Sequence, residues 1–170
     1  WKMKPGAIEE NPFGKKTDKV KMNPQRGSQD LIEPAGPIDP DVSILSIRSK
    51  SGRPISLLAN YSLHYVGGIP AGQLSADYFG EFAKRIGAKL EADEVDPPFV
   101  GIMSNGTSGD VNNSNFLKPR PSAAPFERIK TVAEKIANVA FAAHKSIEYT
   151  SDVSLAMAQQ EIELAIRQPD

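Results

Sequence analysis

The chain contains no cysteine. Disulfides, thiolate metal sites and a cysteine nucleophile are excluded together, while the compartment stays open, because a periplasmic enzyme can do without disulfides. Histidine is almost as scarce, with only His64 and His144 in 170 residues. Neither sign of charge dominates: 20 Lys and Arg stand against 21 Asp and Glu, for a net charge of −1. No basic field therefore exists to gather nucleic acid or an anionic membrane. No apolar run approaches the roughly 20 residues that cross a bilayer, so no transmembrane segment is expected. The chain opens on Trp1 without a leader pattern before its first polar stretch, which predicts an excised or processed piece of a larger protein.

What is present is ordinary globular composition, 39% hydrophobic and 24% charged. That is enough apolar residue to build a packed core. The length suits about one domain. Residues 1–41 differ from the rest: they are rich in Pro, Gly and charge and hold no helical or strand period, which predicts an irregular arm or covering loop. Regular patterning starts at Val42, so an α/β domain is expected over 42–170.

"VSILSIRS" (42–49) reads as a strand, "SKSGRP" (49–54) as a turn, and "ISLLANYSLH" (55–64) as a second strand. The second is apolar on both faces around Leu57–Ala59, which predicts an interior position in the sheet. After the "GGIPAGQ" loop (67–73), Ser75 or Asp77 supplies an N-cap for a helix to about Leu90, with Phe79, Phe82, Ala83, Ile86 and Leu90 facing inward. "FVGIM" (99–103) is a short strand running into "SNGTSGDVNNSN" (104–115). A second helix is expected from near Pro125 to about Ser146, with Phe126, Ile129, Val132, Ile136, Val139, Ala140 and Ala143 on its apolar stripe. The tail alternates at Val153, Leu155, Met157 and at Ile162, Leu164, Ile166, which predicts a last strand. The expected order is β-β-α-β-α-β after the irregular arm, a mixed sheet core covered by helices.

Three places could carry chemistry. His64 closes a strand and precedes glycines, where α/β proteins place ligands and metals. A lone imidazole there is either a metal ligand or a hydrogen-bonded rim residue, and position alone does not choose between them. His144, near the end of a helix, reads as structural. The 104–115 turn leaves backbone amides available to an anion or oxyanion, and Asp110 could orient a ligand or take a proton. It lacks both the spacing of a nucleophile elbow and the lysine of a phosphate loop, and Ser108 has no histidine near it in sequence. Asp77 suits helix capping, or the support of a nearby histidine.

Three blocks, taken in order, resemble the neutral/alkaline (non-lysosomal) ceramidase family: "DPDVSILSIRSKSGRPISLLANYSLH" (39–64), "LSADYFG" (74–80) and "GIMSNGTSGDVN" (101–112). The likeness covers residues 39–115 by motif and 125–167 by order of elements. It implies a zinc-dependent hydrolase that cleaves an amide, such as an N-acyl lipid, with the chain forming the central part of a larger catalytic domain. His64 matches a histidine that binds the catalytic Zn2+. The family's other ligands, a second histidine upstream and a glutamate and a tyrosine downstream, are not in this chain, so the rest of the catalytic domain is an expected partner. Asn105 and Asp110 would shape the pocket around Asn112, and Asp77 would support from behind. A secreted or periplasmic location is the family's expectation.

One departure matters. The family's catalytic serine follows "GDV", and here that position is Asn112, with Asn113 where proline is usual. An amide cannot be a nucleophile, so either zinc-bound water does the chemistry or amidase activity is weak or lost. The second case implies a non-catalytic binding or scaffold protein that kept the fold. A third reading makes His64 structural and the turn a sugar- or peptide-binding loop.

Overall fold

The computed structural model describes residues 1–94, 96–109, 111–166 and 168. The chain is mixed α/β, with two helices, a three-stranded sheet and a two-stranded sheet among the described residues. Its residues group into two compact units, one of 1–36, 115–120 and 150–170, the other of 37–114 and 121–149. That grouping differs from a division at residues 41 and 42, because 115–120 and the tail join the arm.

The first unit is less irregular than its composition predicts. β1 (Lys2–Met3) pairs antiparallel with β2 (Leu31–Glu33), and Val20 bridges to Lys2 on the other side. Lys2 and Glu33 form an ion pair at 2.7 Å, and its hydrogen bond and charge hold the Glu33 carboxyl below its ordinary range. Arg26 donates to the Asn115 carbonyl at 2.7 Å while its guanidinium lies over the Phe116 ring. The expected last strand is not formed: residues 150–166 and 168 hold no helix or strand, and Leu155 is 92% exposed. Alternation supplies an apolar face, but a strand forms only where a neighbour supplies hydrogen-bond partners.

The second unit carries the expected β-β-α-β-α series. β3 (Ser43–Arg48) and β4 (Pro54–Tyr61) form a hairpin closed by Ser49, whose amide donates to Arg53 and whose carbonyl accepts from Gly52. β4 is central, antiparallel to β3 and parallel to β5 (Val100–Asn105). Between the parallel strands runs α1 (Asp77–Lys89), and α2 (Glu127–His144) follows β5.

Both helices cover one face of the sheet. Leu57 and Ala59 of β4 are fully buried there, under Tyr78, Phe82 and Ile86 of α1 and Ile129, Ala133, Ile136 and Ala140 of α2. The α1 stripe is thus rotated from the expected one: Tyr78 is in its centre, and Phe79, Ala83 and Leu90 are only half-buried. On α2, Val139 is exposed rather than inward. At Gly101, a Cβ would sit 2.9 Å from the Ala83 carbonyl oxygen, so α1 approaches β5 where that strand has no side chain. Glu134 of α2 accepts from Lys89 and Arg85 of α1, and those bonds lower its carboxyl's pKa.

The opposite sheet face is largely open. Leu45 and Ile47 of β3 and Val100 and Ile102 of β5 are each between 43% and 59% exposed. Register puts Leu45, Leu58 and Ile102 in one cross-strand row.

Candidate functional site

The carboxyl ends of the parallel strands β4 and β5 lie side by side, with Tyr61 paired to Asn105. Such ends are where open α/β sheets place their ligands. The two chain segments that leave them, 62–76 and 106–114, remain tied. Gly106 donates to the Tyr61 carbonyl at 3.1 Å, and His64 donates its backbone amide to the Val111 carbonyl at 3.0 Å. His64 is therefore brought against the asparagine-rich turn, three residues beyond the end of β4.

The backbone around His64 is held on both sides. Before it, the buried Leu63 carbonyl accepts from the Tyr78 hydroxyl at 2.6 Å and from Asn105 Nδ2 at 3.1 Å. After it, the Tyr65 carbonyl accepts from Asn113 Nδ2 at 3.4 Å, and the Val66 and Gly67 amides donate to the Asp77 carboxylate at 2.9 and 2.8 Å. The imidazole itself is half-buried, with its ring centroid 4.0 Å from that of Tyr65. Among the described residues none hydrogen-bonds to either ring nitrogen. A positioned imidazole with its nitrogens unclaimed can ligate a metal or move a proton.

Asp77 does something different from capping. Its φ is 49°, the residue preceding the helix is Ala76, and no side chain caps the N-terminus conventionally. Its own amide donates to Ser75 Oγ, and its carboxylate accepts from Tyr78 as well as from Val66 and Gly67. A carboxylate taking three backbone N–H bonds is fixed, so Asp77 pins the loop after His64 to the start of α1.

The other expected residues are distributed as follows. Asn105 ends β5 and braces Leu63. Asn112 is exposed, and its Oδ1 accepts from the Ser114 amide at 2.9 Å, a local turn. Asp110 lies outside the described residues. Ser108 is half-buried. His144 has a structural environment: its Nδ1 is 3.3 Å from the Tyr149 hydroxyl, which in turn is 2.8 Å from Ser46 Oγ, and Phe141 stacks beside it.

Three residues have roles that the sequence reading did not assign. Tyr78, fully buried, has its phenol pKa pushed up by burial, with the Asp77 charge adding to it, so the hydroxyl is a permanent donor. Asn113 joins the His64 loop to α2, accepting on Oδ1 from Arg128. Ser62, fully buried, donates to Asp39 Oδ2 at 3.2 Å and lies 3.4 Å from Thr107 Oγ1. The polar character of Tyr78 and Ser62 inside apolar stretches was the available signal, since buried polar groups require partners.

Gly106 is the tightest point. A Cβ there would lie 2.5 Å from Ser62 Oγ, so the turn can leave β5 over Ser62 only without a side chain.

Among the described residues, no group of three His, Cys, Asp or Glu comes together in a way that could hold a metal ion. His64 is therefore not part of such a group among these residues. Among the described residues no helix is long and apolar enough to cross a membrane. Comparison with known proteins finds no matching family model, no similar curated protein and no similar solved structure.

Proposed function

We propose that the chain contributes the central part of the catalytic centre of a zinc-dependent amide hydrolase of the ceramidase type. The supporting observation is the pair of backbone anchors that hold His64 against the 104–112 turn while leaving its ring nitrogens unclaimed by any described residue. A side chain that merely filled space would not need five hydrogen bonds to its neighbours Leu63, Tyr65, Val66 and Gly67, beyond its own amide's bond to Val111.

In this reading His64 supplies one imidazole ligand, and polypeptide outside residues 1–170 supplies the others. Zinc, when bound, lowers the pKa of a coordinated water to about 7 and polarises a carbonyl. Tyr78, Asn105 and Asp77 act on the protein backbone rather than on substrate: they fix where His64 stands. Asn112 and its neighbours line the substrate side, where an amide side chain can donate to a carbonyl oxygen but cannot attack it. Water is then the nucleophile, and the substrate is an amide with an acyl group, such as an N-acyl lipid.

A second reading, a non-catalytic binding or scaffold protein, is favoured by Asn112 in the position where a serine is expected. Zinc analysis and amide hydrolysis assays on the intact protein separate the two. Stoichiometric zinc that is lost in His64→Ala, with hydrolysis that rises in Asn112→Ser, supports the hydrolase. A metal-free protein, or zinc content unchanged by His64→Ala, overturns it.

A further inference from the structure

Tyr65 follows His64 directly and is 62% exposed, although its neighbour Val66 is buried. Isolated exposed aromatics are common and need no explanation. This one is unusual in how firmly it is presented. Three successive residues are tied by backbone hydrogen bonds: His64 to Val111, Tyr65 to Asn113, and Val66 to Asp77. The ring also packs on the imidazole, at 4.0 Å between centroids and a 49° tilt. No described residue takes a hydrogen bond from its hydroxyl. The same glycine-containing loop exposes Leu74 completely and half-buries Ile69. A firmly held aromatic face thus flanks the site imidazole, next to a turn whose exposed residues include Asn105, Thr107 and Asn112.

Binding sites combine apolar surface for affinity with a few polar groups for orientation. An aromatic ring provides such surface at little entropic cost, because it has only two side-chain torsions. An amide substrate has this same division, a polar scissile group next to a hydrocarbon chain. We infer that Tyr65 is a specificity-determining residue, a platform against which the first carbons of a substrate's straight acyl chain lie. This rests on the amide-hydrolase reading for the polar end, but the platform can be tested without turnover.

The experiment titrates the intact protein, in EDTA so that nothing is hydrolysed, with N-acyl ethanolamines of four to ten acyl carbons, each kept below its aggregation limit so that no bilayer or micelle is present. Burial of each methylene against one ring face is about half of full burial, so affinity rises about twofold per added carbon over the first few. Tyr65→Phe and Tyr65→Trp keep that slope, and Tyr65→Ser flattens it. Because Tyr65 is exposed, the serine variant folds, and its unchanged circular dichroism verifies this. In a separate zinc-loaded assay, His64→Ala abolishes turnover if the hydrolase reading holds. The platform is overturned if wild-type affinity does not depend on chain length, if no ligand binds, or if Tyr65→Ser leaves the slope unchanged. A retained slope in a protein that never hydrolyses an amide defeats the hydrolase reading alone.

Discussion

Tyr78 and Leu63 are joined by a buried 2.6 Å hydrogen bond from a phenol to a carbonyl, one residue before the site histidine. Asn105 donates to the same oxygen. Two donors from different elements, α1 and β5, therefore converge on one acceptor, and each covers for the other.

That sharing has a measurable signature. Tyr78→Phe alone removes one bond and costs about 1 kcal/mol, since Leu63 keeps its Asn105 partner. Asn105→Ala alone costs about the same or less, as Asn105 is exposed. The double variant leaves a buried carbonyl with neither donor and loses about 1 kcal/mol more than the sum of the two. Urea unfolding of the four proteins reads the coupling, and simple additivity would contradict the shared-acceptor arrangement.

Gly106 and Ser62 form a steric pair. Gly106→Ala places a methyl 2.5 Å from Ser62 Oγ, and overpacking of this kind costs about 1–3 kcal/mol. Made in a Ser62→Ala background, the same substitution has Asn60 Oδ1 at 3.1 Å and the residue-62 Cα at 3.4 Å as its nearest remaining neighbours. Its cost there falls below about 1 kcal/mol, because the cramped atom is gone. Thermal melts of the two pairs suffice, and an equal cost in both backgrounds would refute the clash.

His144 makes stability depend on pH. Burial first, and then the positive charge of Arg48, hold its imidazole below the ordinary value of 6.5. Arg48 lies over the Tyr149 ring that faces His144, and Lys145 lies over the Phe141 ring that stacks with it. The unfolded chain therefore takes up the proton first as pH falls. Stability is at its full value above pH 6.5, declines below it, and levels off once the folded state is also protonated. Glu134, with its carboxyl lowered by Lys89 and Arg85, adds a loss only below its ordinary 4.5. Urea midpoints measured from pH 7.5 to 5.5 show the His144 slope, which His144→Gln removes and Arg48→Met weakens.

Much of the fold was written in local pattern. The hairpin was legible because Ser-Gly and Pro between two apolar runs admit little else, and β4 was placed inside the sheet by its apolar residues on both faces. Helix extents were legible to within a few residues, but helix rotation was not. Phe79 and Tyr78 are both aromatic, and only the packing on Leu57 and Ala59 decides which turns inward. The tail from Val153 to Ile166 and the strand residues Leu45 and Ile102 expose a common limit. Alternation says that a segment has an apolar face, and it does not say that anything lies against that face. At the site, the approach of His64 to the turn depends on the parallel pairing of β4 with β5 across 44 residues of sequence, from Ser56 to Val100, which no local signal records. Asp77 was noticed as a residue with two available roles, and its real bonds, back to Val66 and Gly67, combine a helix start with a loop anchor.

Those two bonds also shape how the molecule could change over generations. By joining Gly67 to Asp77, they close the intervening stretch into a ring whose stem is fixed, with the Gly68 carbonyl bonded to the Phe126 amide and Ile69 packed on the core, and whose crown, residues 71–74, is exposed. Length and composition between Ala71 and Leu74 can then drift, or be exchanged for a foreign sequence, at a small entropic penalty per added residue and without displacing the imidazole at its base. The crown thus offers a place for laboratory diversification that leaves His64 and Tyr65 where they stand.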